Sequence, residues 1–275
     1  KMMKKLMNSR THKLKNVLLV AMLFLASVGA SAQGMTNTAF KSGEYLSYNL
    51  YFNWKFVWIK AGNASFSTTM TRYKGQNAYK SSLTAKTNAR ADKFYVIRDI
   101  LTAYCTGNLV PLFYTKNTHE GNRRNLDEVT YQFSGGKCHM KLRRRKTDGV
   151  NHYKNVVRNN SFDMLSIFLR ARSWNPSGWR NGYKVGFNIV DGKNCNPAYI
   201  QYGGKTNVDG DNNRKYRCLK LSYYENEGKG YKRIATFYVT DDQNHIPILI
   251  DLNLKFGSAK AKIVNIRGNR YPIRA

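Results

Sequence analysis

Acidic residues are scarce in this sequence: 16 Asp and Glu stand against 46 Lys and Arg, a formal net charge of +30. Such an imbalance speaks to steering and solubility, and it favours anions over cations as partners. Proline is also sparse, 5 in 275 residues, and neither a low-complexity linker nor an internal repeat divides the chain. Four cysteines occur without a CxxC pair, and the histidines show no HxH or HExxH spacing, so no metal site is read and no cofactor is expected. The absence of GxSxG or a Cys/His constellation leaves no marked nucleophile. The longest apolar run, Val17 to Val28, is short of the roughly 20 residues of a membrane-crossing helix.

That run has a different reading. Lys1, Lys4, Lys5, Arg10, Lys13 and Lys15 precede it, and Ala30, Ser31 and Ala32 follow, which is the order of a basic, an apolar and a small-residue region in a secretory signal peptide. Residues 1–32 are expected to be removed between Ala32 and Gln33, leaving a linker over 33–42 and one domain over 43–275. The product is expected in the periplasm or secreted. Removal takes away six basic residues and no acidic ones, so 40 cations face 16 carboxylates and the charge is 40 − 16 = +24. In that compartment the anions are lipopolysaccharide phosphates, phospholipid headgroups and acidic polysaccharides. Nucleic acid is not expected, contact with a membrane surface is open, and the oligomeric state is not read.

The rest of the chain alternates. Tyr45, Tyr48, Leu50 and Phe52 begin a succession of short segments rich in aromatic and β-branched residues, spaced roughly ten residues apart by Gly and Asp turns. Gly62 marks a bulge or bend, and Ala89 to Val96 reads as a short helical crossover. Val129 to Leu142 is the clearest hairpin, with Gly135 and Gly136 at its turn. One amphipathic helix is read over Ser161 to Trp174, capped by Ser161 or Asp163. The fold class expected is mainly β: a single curved antiparallel sheet or an open β-barrel meander, with one or two short helices packed on it. The cysteines permit two disulfides, for which Cys105 with Cys138 and Cys195 with Cys218 are the candidate pairings, and buried free thiols are the alternative.

Several blocks carry a family resemblance: Gly43-Glu44-Tyr45-Leu46-Ser47-Tyr48 with Ala61-Gly62-Asn63-Ala64, Phe162-Asp163-Met164-Leu165-Ser166, Thr240-Asp241-Asp242-Gln243-Asn244-His245-Ile246-Pro247, and Gly257-Ser258-Ala259-Lys260-Ala261. Together they resemble the bacterial domain-of-unknown-function family 3108. The resemblance implies an exported, mostly β envelope domain and no activity. A surface this basic is not part of what it implies.

Candidate sites follow from the charge. On the hairpin, His139, Lys141, Arg143 and Arg145 share one face by strand alternation, with Arg123 and Arg124 nearby, and these six are the candidate ligand-binding residues. Asp209, Asp211 and Asn213 have calcium-loop spacing, but Lys220 stands where a bidentate Glu belongs, so a turn is read. Asp241 and Asp242 are read as turn residues rather than an acid and base. The leading expectation is a non-enzymatic binding protein whose concave face, partly covered by the helix, holds an anionic or amphiphilic ligand. Trp54, Trp58 and Tyr51 serve there either as ligand platforms or as core packing. A lyase acting on acidic polysaccharide is the enzymatic alternative, with His119, Tyr131 and Arg124 as its catalytic candidates, and a structural envelope protein is the third.

Overall fold

The computed structural model describes residues 34–54, 57–147, 149, 151–254 and 257–274, so the expected signal peptide lies outside the described residues. The alternating segments form strands. The first eight are β1 (Glu44–Trp54), β2 (Val57–Tyr73), β3 (Gln76–Thr87), β4 (Ile97–Thr106), β5 (Pro111–Glu120), β6 (Arg123–Ser134), β7 (Lys137–Lys146) and β8 (His152–Val157). The two-residue β9 (Ser161–Phe162) is followed by β10 (Lys184–Val190), β11 (Cys195–Asp209), β12 (Lys215–Asn226), β13 (Tyr231–Thr240), β14 (Pro247–Leu254) and β15 (Gly257–Arg267). Helix α1 is a single turn, Ala89–Asp92, and α2 spans Met164–Arg172.

All fifteen strands make one sheet, ordered β8 to β1 and then β15 down to β9. The chain is a continuous meander whose first and last long strands pair, Tyr45 with Arg267 through Phe52 with Ala259. Among the described residues only β9 and β10 run parallel. The sheet is open: among the described residues no ladder joins β8 to β9. The chain itself crosses this seam, where the Cys138 amide donates to Asn159 Oδ1 (2.8 Å) and the Asn188 amide donates to the Asn160 carbonyl (2.8 Å). Arg144 also spans it, 2.5 Å from Asp127 and 3.2 Å from Asp191.

Inside the curl sits α2. Asp163 rather than Ser161 is its cap, accepting from the Leu165 and Ser166 amides at 3.1 and 2.9 Å, because Ser161 and Phe162 are held extended against β10. Leu165 and Leu169 pack into a cluster with Leu101, Val129 and Leu142, while Ile167 joins a second with Phe187, Ile200 and Leu221. Phe168 bridges the two halves, its ring 4.8 Å from Phe66 and 6.5 Å from Phe237. Burying each such side chain contributes about 2 kcal/mol. The inner face is therefore filled by α2 and core side chains. Two grooves lie on the outer face of the sheet instead.

Two further expectations change and one holds. Ala89 to Val96 is not a crossover, because β3 and β4 pair directly as an antiparallel hairpin and α1 sits in the connection. Gly62 marks a bulge, as read: between the Leu50–Gly62 and Tyr51–Lys60 pairs β2 holds one residue more than β1. Gly62 also lets β3 approach, since a Cβ there would lie 2.1 Å from the Lys86 carbonyl oxygen. All four cysteines are free thiols. Cys105 and Cys138 lie on β4 and β7 with two strands between them, about 14 Å at ordinary strand spacing. Cys218 is level with Thr206, so Cys195 lies eleven residues along β11 from it, roughly 35 Å. Neither candidate pairing meets the reach of a disulfide, ~7 Å between Cα atoms. Burial pushes the Cys138 and Cys218 thiols up to about 12, as befits core side chains.

Candidate functional site

The hairpin of β6 and β7 is as the sequence predicts, turning on Gly135 and Gly136 with φ of 56° and 71°, a left-handed pair that Gly adopts without strain. Its even-numbered β7 residues, Cys138, Met140 and Leu142, enter the core, which sends His139, Lys141, Arg143 and Arg145 outward. The register continues across neighbouring strands. Phe113, Thr130, Lys141 and Asn155 form one row, and Glu128, Arg143 and Tyr153 the next.

These two rows line a groove of about 370 Å³ on the outer face, to which Lys154 also contributes. Tyr153, on the edge strand β8, is 66% exposed, and the Arg143 guanidinium lies 5.5 Å from its ring centre. Glu128 is the groove's one carboxylate, 3.5 Å from Arg143 and 3.4 Å from Arg145. Lys141 and Arg143 against this one carboxylate therefore leave the groove with a positive excess beside a flat, solvent-facing ring.

The six candidate ligand-binding residues divide. Lys141 and Arg143 line the groove, while His139 and Arg145 flank it on the same face of β7. Arg123 and Arg124 lie at the far end of β6, exposed, next to the β5–β6 turn. The enzymatic trio does not assemble. His119 and Arg124 are cross-strand partners, but Tyr131 is seven residues further along β6 and on the opposite face. Its hydroxyl is buried and donates to Asp163 Oδ2 at 3.1 Å. The two aspartate motifs are turns, as read. Asp211 accepts from Asn49 and Tyr51 at 2.6 Å each, Asp241 pairs with Lys205 and Arg217, and Asp242 caps its own turn through the Asn244 amide. The described residues hold no cluster of His, Cys, Asp and Glu fit for a metal ion.

A second groove, about 350 Å³, lies on the outer face of the other half, among Trp58, Lys220, Arg233, Tyr238, Asp251 and Lys260. Lys260 caps the Trp58 ring at 4.3 Å and is 4.0 Å from Asp251. Trp58 is thus a surface ring, Tyr51 is tied to Asp211, and the Trp54 side chain lies outside the described residues.

Two buried polar centres organise the interior, of which sequence reading offered only Asp163, as a helix cap. Asp163, raised above the usual carboxylate range by its burial, gathers the α2 amides, the Ser166 hydroxyl (2.6 Å) and Tyr131. Glu44 receives both terminal nitrogens of Arg172, at 2.5 and 2.8 Å, and Arg172 also donates to the Asn244 carbonyl. His245 Nδ1 lies 2.5 Å from the Arg172 carbonyl, and burial holds this imidazole below its usual range. For Glu44 and Arg172 the sequence signal was local: an acid at the start of one apolar strand and an arginine at the end of an apolar helix.

The family model described as "Protein of unknown function (DUF3108)" matches residues 47–264. The chain belongs to this family. Among solved structures, it is similar to a β-barrel-like protein of the DUF1849 domain from Brucella abortus, at 9% identity and a TM-score of 0.56, over 85% of this chain and 100% of that one. This likeness shows the fold of the DUF3108 member alone. A Bacteroides fragilis protein named a "putative exported protein with YmcC-like fold" matches over 85% of this chain and 99% of its own at 9% identity, with a TM-score of 0.36. Among curated proteins nothing matches.

Proposed function

We propose that this DUF3108 protein is an exported, non-catalytic binding protein of the bacterial envelope, and that its outer groove on β5 to β8 takes a segment of acidic glycan. The observation that carries the reading is the exposed Tyr153 ring with Arg143 against it and Lys141 in the adjacent row of the same face. A sugar ring stacks on an exposed aromatic face while ammonium and guanidinium groups hold its carboxylates or sulfates. The basic surface draws such a polymer in at low ionic strength. The export reading rests on residues 1–32, ahead of the folded sheet.

Binding of polygalacturonate, measured by biolayer interferometry against neutral dextran, tests it. Native protein is expected to bind the polyuronate and not dextran, with affinity falling as salt rises from 0.05 to 0.3 M. The variant Lys141→Gln/Arg143→Gln/Lys154→Gln is expected to bind at least tenfold more weakly, and Tyr153→Ala about fivefold. Equal binding of dextran, or an unchanged triple variant, would remove the groove from consideration.

A further inference from the structure

The β1–β2 and β14–β15 hairpins run on past the packed body. At Phe66 and Thr68 one face of β2 is buried, but Val57, Trp58, Ile59 and Lys60 are exposed in succession, so neither face of this stretch is covered. The end of β14 behaves alike at Asn253 and Leu254. Because β1 pairs with both β2 and β15, the two hairpins lie side by side. Ile59, Phe52, Ala259 and Leu252 form one cross-strand row, with Val57 and Leu254 beyond it on the same face. Val57 is 61% exposed and Leu254 46%.

The α1 connection adds to this end. Asn88 is pinned to β2 through its amide to the Ala61 carbonyl (2.8 Å) and its Nδ2 to the Lys60 carbonyl (3.1 Å). Just beyond the helix Phe94 is 79% exposed and Tyr95 also faces solvent. Lys60, Lys86, Arg90 and Lys93 are exposed around these apolar side chains. The nearby carboxylate of Asp92 is closed onto Arg98 at 2.5 Å, and Glu120 and Arg123 act in opposite senses on Tyr95.

An apolar patch of this kind on a soluble body marks a contact surface. A second copy is a poor occupant, because tip-to-tip contact brings these cations together on molecules that each carry a large positive charge. A bilayer with anionic headgroups answers both features: aliphatic and aromatic tips enter the headgroup boundary while lysines stay at the phosphate level. We infer that this end of the molecule docks on an anionic phospholipid surface, with Val57, Ile59, Leu254 and Phe94 inserting and Lys60 and Lys93 meeting the phosphates. The surface is separate from the glycan groove.

Cosedimentation of the protein lacking residues 1–32, whose whole sheet lies beyond them, with vesicles of 3:1 phosphatidylethanolamine and phosphatidylglycerol tests this. Binding is expected to exceed that to phosphatidylcholine vesicles at least tenfold and to fall in 0.5 M salt. Val57→Ser/Ile59→Ser/Leu254→Ser is expected to weaken it at least tenfold while leaving the circular-dichroism melting curve in place, since the side chains are exposed. Lys60→Gln/Lys93→Gln is expected to lose roughly twenty-five-fold at about fivefold per surface cation. The groove variant Lys141→Gln/Arg143→Gln/Lys154→Gln is expected to retain binding. Native protein that does not distinguish the two vesicles, or a tip variant that binds as well as native, would overturn the inference. So would a groove variant that alone loses binding, or a tip-dependent dimer in sedimentation without vesicles.

Discussion

Strands β1 and β2 each join two unlike regions. At one end Glu44, Leu46 and Tyr48 are buried beneath α2, and at the other Val57 to Lys60 stand in solvent on both faces. The buried end contains the more charge-demanding chemistry: a carboxylate and a guanidinium removed from water together, satisfied by two mutual hydrogen bonds, the Asn244 carbonyl, and the rings of Phe40 and Phe168 at 5.5 and 5.9 Å. This network ties the N-terminal segment, the end of α2 and the approach to β14. At the exposed end the cations of Lys60, Arg90 and Lys93 remain hydrated. Stability resides in one end of these strands and available surface in the other.

Removing one member of the buried pair is the strongest way to break that contrast. Glu44→Ala leaves the Arg172 charge buried without its carboxylate, and a loss of about 3 to 5 kcal/mol is expected, read from urea unfolding midpoints. Replacing Glu44 and Arg172 together by Leu and Met is expected to recover most of it. A single-variant loss below about 1 kcal/mol would mean that this end is not the stabilising one.

Asp163→Ala comes next. It removes the α2 cap and leaves the buried Tyr131 hydroxyl without its acceptor, with an expected loss of about 2 to 3 kcal/mol in the same measurement. Asp163→Asn, which keeps an acceptor oxygen, is expected to lose less than the alanine variant.

The smallest effect is expected at the start of β4, beside the exposed end. Burial, with Glu120 adding to it and Lys116 opposing, pushes the Asp99 carboxyl up to about 6. An acid raised in the folded state binds its proton more tightly there than when unfolded. Its contribution therefore favours folding below about pH 4 and is lost as pH rises through 6. With the group partly screened by solvent, the change is expected to be no more than about 2 kcal/mol. Comparing Asp99→Asn with native protein at pH 4.5 and 7.5 checks the sign: the variant is expected to gain on native protein at the higher pH.

The strand pattern was legible because alternation is local: Val129 to Leu142 carries its own turn and its own inward face. The outward basic column on β7 followed from the same rule, and Arg144, which alternation turns inward, pairs with Asp127 at the seam. What alternation does not carry is distance across the sheet. Tyr131 and Arg124 are seven residues apart on one strand yet on opposite faces, and the cysteine pairings depended on how many strands separate β4 from β7. Tyr153 and Lys154 were missed because an edge strand gains its meaning from what is absent beside it. Glu44 and Arg172, 128 positions apart, meet only through the coiling of the whole sheet.

The meander also sets the order in which the fold can be completed. Each ladder joins strands consecutive in the chain except that between β1 and β15, where Tyr45 waits for Arg267. Local hairpins zip within microseconds, whereas a contact of such long sequence separation is slow. A chain emerging from its N-terminus thus holds one edge of β1 unpaired until its last strand arrives. During that interval the vacant edge is where the β15 of a neighbouring chain competes with the chain's own, the exposure that strand exchange requires.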